Sequence, residues 1–354
     1  MGWLSGWSNR IAMTVNPAGV GVGANVTNAI HKPGVPAALK GVCQGAGQDF
    51  RATLADGTTL LDYGIEDWSV AAPVVHIREP DCDEAAHTVY LYGGNAGASD
   101  AQNKAGVATD FAGYWPLGDA GPTTAYDWTS NANNGTQSGG VTFGQAGQVD
   151  GACTFDGNND FLNCGSDTSF NFVSACTQMA WIRFASYPTG HHAILRKRRP
   201  LDDSDTFMIA YYHGSVTIYA GVRIPPTGPF YSSGEIVTGL ALNTWHRIVG
   251  VWSRSSQLSR YYRNGSLVSQ MASPDVDMGA NTADVTIGSL NGFSEFYTGL
   301  IDGVAVGGSA VSDDYVRLDA NAYPGGGIYT FGALEAAAVA GRRLFTRAFE
   351  GLFG

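Results

Sequence analysis

The sequence predicts an all-β protein made of two antiparallel β-sandwich domains and a short C-terminal helical tail. Of the 354 residues, 48 are glycine, and short runs of alternating apolar and polar residues recur along most of the chain. Runs with helical spacing occur only near the C-terminus. We place an N-terminal β-sandwich domain at residues 1–105, a second domain at 106–323, and a Gly linker with a C-terminal docking helix at 324–354.

The first domain is predicted from four strand-like runs. They read "RIAMTV", "DFRATL", "APVVHIRE" and "TVYLYGG". A polar stretch, "GNAGASDAQNKAG", follows them and is typical of a linker.

The second domain has a longer series of strand-like runs, among them "QMAWIRFAS", "DTFMIAYY", "TWHRIVGVWS" and "GLIDGVAV". "YYRNGSLV" predicts a hairpin, because Asn264-Gly265 supplies the positive φ angles of a two-residue turn. We expect His191 and His192 to lie in a loop. The basic run from Arg196 to Pro200 is expected to be a solvated loop, largely neutralised by Asp202, Asp203 and Asp205.

The order of seven segments in the second domain resembles that of laminin-G-like domains, which are concanavalin-type jelly-rolls. The segments are "GYWPLGD", "AYDWTSNANNGT", "VDGACTFDGNNDFLNCG", "QMAWIRF", "NTWHRIVGVW", "YYRNGSLV" and "GLIDGVAVGGSAVSDDYV", spread over residues 110–323. The resemblance implies two curved antiparallel sheets packed face to face.

The first domain resembles an uncharacterised β-sandwich family that often precedes laminin-G-like modules. The shared features are Trp7 with Arg10, "YGIEDW" from Tyr63 to Trp68, and "YLYGGN" from Tyr90 to Asn95. Gly93 departs from the family pattern, which has tyrosine at that position.

The tail after the triple glycine is expected to dock on another molecule or on the parent domain. Leu334 to Val339 is helix-prone, and apolar residues recur at helical spacing beyond it. A short helix of this kind cannot bury its apolar face alone. A helix on a membrane surface and a disordered end are the alternatives. The residues predicted to dock are Leu344, Phe345, Phe349, Leu352 and Phe353.

Charge and cysteine content exclude some classes of function. The net charge of −11 disfavours a general nucleic-acid binder, which needs clustered Lys and Arg. No secretory signal or membrane span is recognised, and the five cysteines contain no C-x-x-C pair. We therefore expect free, mostly buried thiols, no zinc site, and synthesis in a reducing cytoplasm.

The stretch "EPDCDE", Glu79 to Glu84, matches the E-x-D-x-x-E pattern of retaining glycosidases. Two features argue against a catalytic role for this stretch. Pro80 cannot donate a backbone hydrogen bond to a neighbouring strand, and the stretch lies outside the jelly-roll, where the catalytic carboxylates of such enzymes are found. We expect a hairpin loop here and no enzymatic activity.

The resemblance implies a possible Ca²⁺ site near the rim of the sandwich. "YDWTSNANNG" is similar to the family's calcium loop, with Asp127, Asn131 and Asn134 as oxygen donors, and Asp302 matches an acidic position that lies near that loop in relatives. The alternative is that Asp127 and the asparagines cap turns and Asp302 pairs within the fold.

Aromatic residues around "RIPPTGPFYSSG" indicate a ligand-binding surface. Exposed rings stack on sugars, and loops at the ends of a sandwich often bind ligands. Phe230 and Tyr231 are the predicted binding residues, whereas Tyr211 and Tyr219 are expected to fill the core.

These features favour a non-enzymatic structural or adhesive component of a large assembly. Among such assemblies, a bacteriophage virion is the first choice. The tail would anchor the protein to other virion proteins, and the jelly-roll would project to bind cell-surface glycans or stabilise the particle. We expect a homo-oligomer. The alternative is a bacterial surface or exported glycan-binding protein, and a polysaccharide-active enzyme is the third hypothesis.

Overall fold

The computed structural model describes residues 2–118, 123–187, 189–199, 204–215, 217–224, 228–236 and 240–338. Strands dominate these ranges and form three antiparallel sheets, which confirms the predicted all-β class. The α-helices in these ranges are short: α1 (Ala37–Lys40), α2 (Lys104–Val107) and α3 (Asp313–Asp319). No helix among the described residues is long and apolar enough to cross a membrane.

The first sheet has seven strands, in the order β2-β5-β4-β3-β6-β1-β23. Its strands are β1 (Asn9–Val15), β2 (Val26–His31), β3 (Arg51–Thr53), β4 (Leu60–Ile65), β5 (Val75–Cys82), β6 (His87–Gly93) and β23 (Tyr329–Ala336). Apolar side chains of β1, β3, β4, β5 and β6 meet in one core with Phe50 and Trp68.

This sheet curls back on itself. Strands β5 and β6 are three positions apart in it, which is about 14 Å in a flat sheet. His87 at the start of β6 nevertheless lies 3.1 Å from Glu79 on β5, measured from Nε2 to Oε2. Side chains of non-neighbouring strands therefore meet at this corner.

Strand β23 corrects the prediction for the tail. Tyr329–Ala336 pairs with β1 from Val15↔Tyr329 to Asn9↔Ala336, so a helix beginning at Leu334 is wrong for residues 334–336. The Arg10 Nε to Glu335 Oε2 ion pair of 2.7 Å joins the two strands. Pairing with the open edge of β1 outweighs the helix propensity of Leu334, Glu335 and Ala336, because tertiary contacts override local propensity. Residues 339–354, with the five predicted docking residues, lie outside the described part of the chain.

The second domain is a two-sheet sandwich, as the resemblance implied. The second sheet runs β10-β11-β22-β13-β18-β19-β20, with β7 beside β22, and the third runs β17-β16-β15-β14-β21-β12-β9-β8. The strands of the second sheet are β7 (Gly113–Trp115), β10 (Thr142–Ala146), β11 (Gly151–Asp156), β13 (Ala175–Arg183), β18 (His246–Ser253), β19 (Leu258–Arg263), β20 (Ser266–Ala272) and β22 (Thr298–Gly307). Those of the third are β8 (Thr124–Ala125), β9 (Gly135–Ser138), β12 (Phe161–Asn163), β14 (His192–Arg199), β15 (Ser204–Tyr212), β16 (Thr217–Arg223), β17 (Phe230–Ile236) and β21 (Val285–Ile287).

Large aromatic side chains fill the space between the two sheets of the sandwich. Trp115 and Trp252 are fully buried there, and Tyr211 joins them as predicted. The Asn264-Gly265 turn between β19 and β20 is confirmed, with φ angles of 49° and 82°.

Two segments expected to be loops are strands. Strand β5 continues through Glu79 to Cys82, so the loop covers only residues 83–86. The basic run from Arg196 to Arg199 belongs to β14. Arg196 is buried and pairs with Glu295, and the buried Lys197 Nζ donates to Asn171 Oδ1 at 2.7 Å, so neither is a solvated loop residue. Local charge did not reveal these partners, which are far away in sequence.

The two domains share a buried interface. An apolar cluster joins Val26 and Ile30 of the first domain to Tyr262 and Leu318 of the second. Beside it, Asp319 of α3 accepts from Lys32 Nζ and Arg247 Nε, both at 2.7 Å. The predicted linker is itself tied to the first domain, for example by Ile65 N donating to Gln102 Oε1 at 2.7 Å.

Candidate functional site

The predicted calcium loop is held by its own hydrogen bonds. Asp127 Oδ1 accepts from Tyr114 N and Thr129 N, both at 2.9 Å. Asp127 Oδ2 accepts from Thr129 Oγ1 at 2.7 Å and Asn133 N at 2.8 Å. Four donors from the protein therefore satisfy this carboxylate.

The two predicted asparagines also serve the loop. Asn131 Nδ2 donates to Ala112 O at 3.0 Å, and Asn134 Oδ1 accepts from Asp127 N at 2.9 Å. These contacts are those of side chains that shape a turn.

Asp302 lies elsewhere, on β22, and is fully buried. Its Oδ2 accepts from Gln148 N at 2.7 Å and Val149 N at 2.9 Å, while its Oδ1 has no hydrogen-bond partner. Burial and the nearby charge of Glu66 raise the pKa of Asp302 to about 8, against the effect of the two backbone hydrogen bonds.

The register separates Asp302 from Asp127. Tyr114, which donates to Asp127, pairs with Ala305, three residues from Asp302 along β22. Three residues of strand span about 10 Å. Two oxygen ligands of one Ca²⁺ lie at most about 5 Å apart, so the four predicted residues do not form one ligand group.

Glu66 is close enough to raise the pKa of both Asp302 and a second aspartate, Asp150. Burial together with the charges of Glu66 and Asp67 raises the pKa of Asp150 to about 7, and Asp150 Oδ2 has no hydrogen-bond partner. Glu66 comes from the first domain, and its Oε1 is hydrogen-bonded to His76. This group, Glu66, Asp150 and Asp302, is called the acidic group below.

Glycines line the acidic group closely. A Cβ on Gly118 would lie 1.9 Å from Glu66 Oε2, and one on Gly147 would lie 2.6 Å from Asp302 Oδ2. Side chains at these positions would displace the carboxylates. Glu66 thus lies near both aspartates in a buried space, although the oxygens of the three carboxylates do not all lie within 4.8 Å of one another.

Phe230 and Tyr231 begin the edge strand β17. Phe230 is half-buried with the Arg223 guanidinium 4.7 Å from its ring centre, and Tyr231 packs partly against the sandwich core. Residues 225–227 of the preceding loop lie outside the described part. The two rings are thus less open than the sequence suggested.

A more open aromatic group lies at the other end of the third sheet. The ring centres of His191 and Tyr212 are 4.0 Å apart, and those of Tyr212 and Tyr219 are 6.4 Å apart. Tyr212 is 46% exposed and His191 is exposed. His191, Tyr212 and Tyr219 are called the aromatic end below. Tyr219 pairs with Gly234 of β17, and Gly234 is four residues along that strand from Phe230, a distance of about 13 Å. The aromatic end is therefore separate from the predicted Phe230 site.

Hydrogen bonds hold the aromatic end in place. His213 N donates to His191 Nδ1 at 3.1 Å, and the hydroxyls of Ser215 and Tyr219 lie 3.0 Å apart. A Cβ on Gly234 would lie 2.9 Å from the Tyr219 ring, so glycine leaves room for that ring. Tyr219 is half-buried and outside the core cluster, unlike its predicted place in the core.

Comparison with known families identifies the second domain. Residues 156–317 match the family model described as the concanavalin A-like lectin/glucanases superfamily. The second domain is a laminin-G-like domain. The aromatic end and Asp302 both belong to this laminin-G-like domain, and the resemblance stated from seven sequence segments is confirmed.

Solved structures with a similar fold include botulinum neurotoxin domains. The serotype G binding domain has 14% identity and a TM-score of 0.47, covering 59% of this chain and 50% of its own. The serotype D ligand binding domain in complex with N-acetylneuraminic acid has 11% identity and a TM-score of 0.45, covering 60% and 50%. The chain thus spans about half the length of these structures. Scores this low carry no information on ligands or partners. No curated protein matches the chain.

Sequence reasoning gave no site role to Glu66 and Asp150 of the acidic group or to His191 and Tyr212 of the aromatic end. Glu66 lies within the quoted "YGIEDW" and Asp150 within "VDGACTF", but nothing in either segment indicates a contact with Asp302. His191 was assigned correctly to a loop without a functional role, whereas the same prediction was wrong for His192, which is buried at the start of β14. Only the fold shows that the His191 ring lies beside that of Tyr212.

Proposed function

We propose that the chain is a non-enzymatic glycan-binding protein whose laminin-G-like domain binds sugar at the aromatic end. The observation that carries this proposal is the exposed His191–Tyr212 pair, with ring centres 4.0 Å apart and ring planes 42° apart, at an open end of the sandwich. Loops at such ends are frequent ligand sites.

The chemistry of the aromatic end suits a sugar. A tyrosine ring offers an apolar face for the C–H groups of a pyranose and a hydroxyl for its polar rim. The imidazole of His191 adds a polar group beside it. Because His213 and Ser215 hold the His191 and Tyr219 side chains, little conformational entropy is lost on binding.

The buried position of Glu79 supports binding rather than hydrolysis. A retaining glycosidase needs two carboxylates about 5 Å apart across the scissile bond. Glu79 of the E-x-D-x-x-E stretch is buried in the first domain, and its Oε2 is bonded to both His31 and His87. It does not belong to the sandwich that would carry a sugar cleft.

We further propose that Ca²⁺ binds at Asp302 and draws Glu66 and Asp150 inward, since the oxygens of these three carboxylates do not all lie within 4.8 Å of one another without it. The unpaired Oδ1 of Asp302 and Oδ2 of Asp150 are the donors left for a cation, with Glu66 close enough to raise both pKa values. Carboxylate oxygens are what Ca²⁺ prefers. The ion would offset the repulsion between these groups and fasten the first domain to the laminin-G-like domain.

A glycan microarray tests the proposed function. The full chain should bind a subset of glycans, and Tyr212→Ala should lower that binding at least tenfold. Tyr126→Ala is the matched control, because Tyr126 is 50% exposed but lies near β8, at the other edge of the third sheet. Phe230→Ala tests the predicted loop site in the same experiment. Equal loss in the Tyr126 and Tyr212 variants, or no glycan bound, would contradict the proposal.

The assembly that carries this protein stays a prediction. A virus particle is the first choice and a bacterial surface or extracellular location the second, both as homo-oligomers. The test is mass spectrometry of gradient-purified particles from the source culture. Co-banding with a major capsid or tail protein at fixed stoichiometry supports a virion component, whereas recovery only with cells or free protein contradicts it.

A further inference from the structure

We infer that the corner of the first domain is a site for a divalent transition metal, Zn²⁺ first, with His31, Glu79, Cys82 and His87 as ligands. This inference is independent of the proposed glycan function. The ligand atoms of His31, Glu79 and Cys82 all lie within 4.8 Å of one another, and all three residues are buried. His87 adds a fourth donor.

The distances converge on one oxygen. Glu79 Oε2 lies 2.9 Å from His31 Nε2 and 3.1 Å from His87 Nε2. In a tetrahedral zinc site, neighbouring N and O ligands are about 3.3 Å apart, given metal–ligand distances of about 2.0–2.2 Å. The ligand atoms of His31, Glu79 and Cys82 lie within 4.8 Å of one another, and movements of about 1 Å, with His87 swinging in from Glu79, would convert the hydrogen-bonded cluster into a coordination sphere.

An interruption in the strand brings Cys82 to Glu79. Residues three apart on a regular strand point to opposite faces. The β2–β5 register stays in phase, but the ladder has a gap at Asn28, which has a φ of 57°, and its opposite number Pro80, which lacks an N–H; Pro80 and Asp81 are both exposed. The alternation is broken between Glu79 and Cys82, so both side chains are buried.

The far nitrogens of both histidines are oriented as they are in metal sites. His87 Nδ1 lies 2.9 Å from Ala85 O, and His31 Nδ1 lies 3.4 Å from the Tyr329 hydroxyl. Bonds of this kind leave Nε2 as the ligand atom. Two imidazoles, a thiolate and a carboxylate form a set that suits Zn²⁺ and other borderline metals rather than Ca²⁺.

A surface pocket gives access to the cluster. Its volume is about 330 Å³, and Glu79, His87, Asp56 and Asp83 are among its lining residues. A cation can thus reach Glu79 and His87 first, and then the buried His31 and Cys82. Bound there, it would join the paired strands β2 and β5 to β6, which is three positions from β5 in the sheet order.

Cobalt substitution tests this site in the full chain. The protein is purified under reducing conditions, stripped with a chelator, and titrated with Co²⁺ and then Zn²⁺. We expect one equivalent of Co²⁺ with the visible bands of tetrahedral coordination and a thiolate-to-cobalt charge-transfer band. Zn²⁺ should displace it. Cys82→Ser should abolish the charge-transfer band, and Cys43→Ser, a free cysteine of the same domain, should retain it.

A second variant keeps the test decisive if Cys82→Ser does not fold. His87 is at the rim of the cluster, with its side chain 17% exposed, so His87→Gln should fold and bind Co²⁺ at least tenfold more weakly. Near-ultraviolet circular dichroism checks the fold of each variant. The inference would be overturned if the unaltered protein bound no metal. It would also be overturned if the charge-transfer band were unchanged in the Cys82 variant, or if the affinity for Co²⁺ were unchanged in the His87 variant.

Discussion

Replacing Asp319 with asparagine should destabilise both domains together. Asp319 accepts from Lys32 of the first domain and Arg247 of the second, and all three side chains are at most 6% exposed. Asp319→Asn leaves two buried cations without their counter-charge. Removing one partner of a buried ion pair costs about 3–5 kcal/mol of unfolding free energy.

The assay is equilibrium urea unfolding followed by tryptophan fluorescence. Because the apolar interface joins the two domains, we expect one transition that moves to lower urea in the Asp319 variant. Asp275→Asn is the matched control. Asp275 pairs with Arg254 at the surface, where the side chains are 60% and 39% exposed, so its loss should cost under about 1 kcal/mol.

Two results would refute this reasoning. One is an equal cost for the Asp319 and Asp275 substitutions, which would mean that the buried pair contributes no more than a surface pair. The other is a pair of separate transitions in the unaltered protein, only one of which responds to Asp319→Asn. That outcome would show that the interface does not couple the domains.

Three further predictions concern pH, calcium and the C-terminus. Burial opposes ionisation of Asp319, but Arg247 and Lys32 lower its pKa to about 2, below the ordinary 3.8. The unfolding free energy, measured as a function of pH, should therefore fall by about 2 kcal/mol between pH 4 and pH 2. An unfolding free energy that does not change over this range would contradict the prediction. Ca²⁺ added to chelated protein at about one hundred times its dissociation constant should raise Tm by roughly 5 °C. Asp302→Asn should abolish that rise and Asp127→Asn should keep it, whereas a rise lost only in the Asp127 variant would favour the loop site. A chain ending at residue 328 should have a lower Tm than one ending at 338, because only the longer chain keeps β23 and the Arg10–Glu335 pair; equal Tm values would mean that β23 contributes nothing.

The fold class was predictable because it rests on local patterns. Alternating runs gave most strands, and Asn264-Gly265 gave its turn. The segments whose secondary structure was predicted wrongly are those whose conformation depends on residues far away in the sequence. Strand β23 forms because β1 has an open edge, and Arg196 is buried because Glu295, a residue of the β21–β22 loop, neutralises it. No local pattern contains that information.

The sites were harder to predict for the same reason. Asp127 and Asp302 were chosen by resemblance, yet the register places them about 10 Å apart along β22. The acidic group draws Glu66 from the other domain, and the metal-ligand cluster draws from three strands. Cysteine spacing predicted no zinc site, because only one of the inferred ligands is a cysteine and the pattern sought was a pair.

The most direct test of glycan binding at the aromatic end is NMR of the histidine ring protons during titration with the best glycan from the array. The chain has seven histidines, and His191→Gln assigns the resonance of the one whose ring lies beside Tyr212. We predict that the glycan shifts the His191 resonance and leaves those of His31 and His87, in the first domain, unchanged. A glycan that binds without moving the His191 resonance would contradict the account.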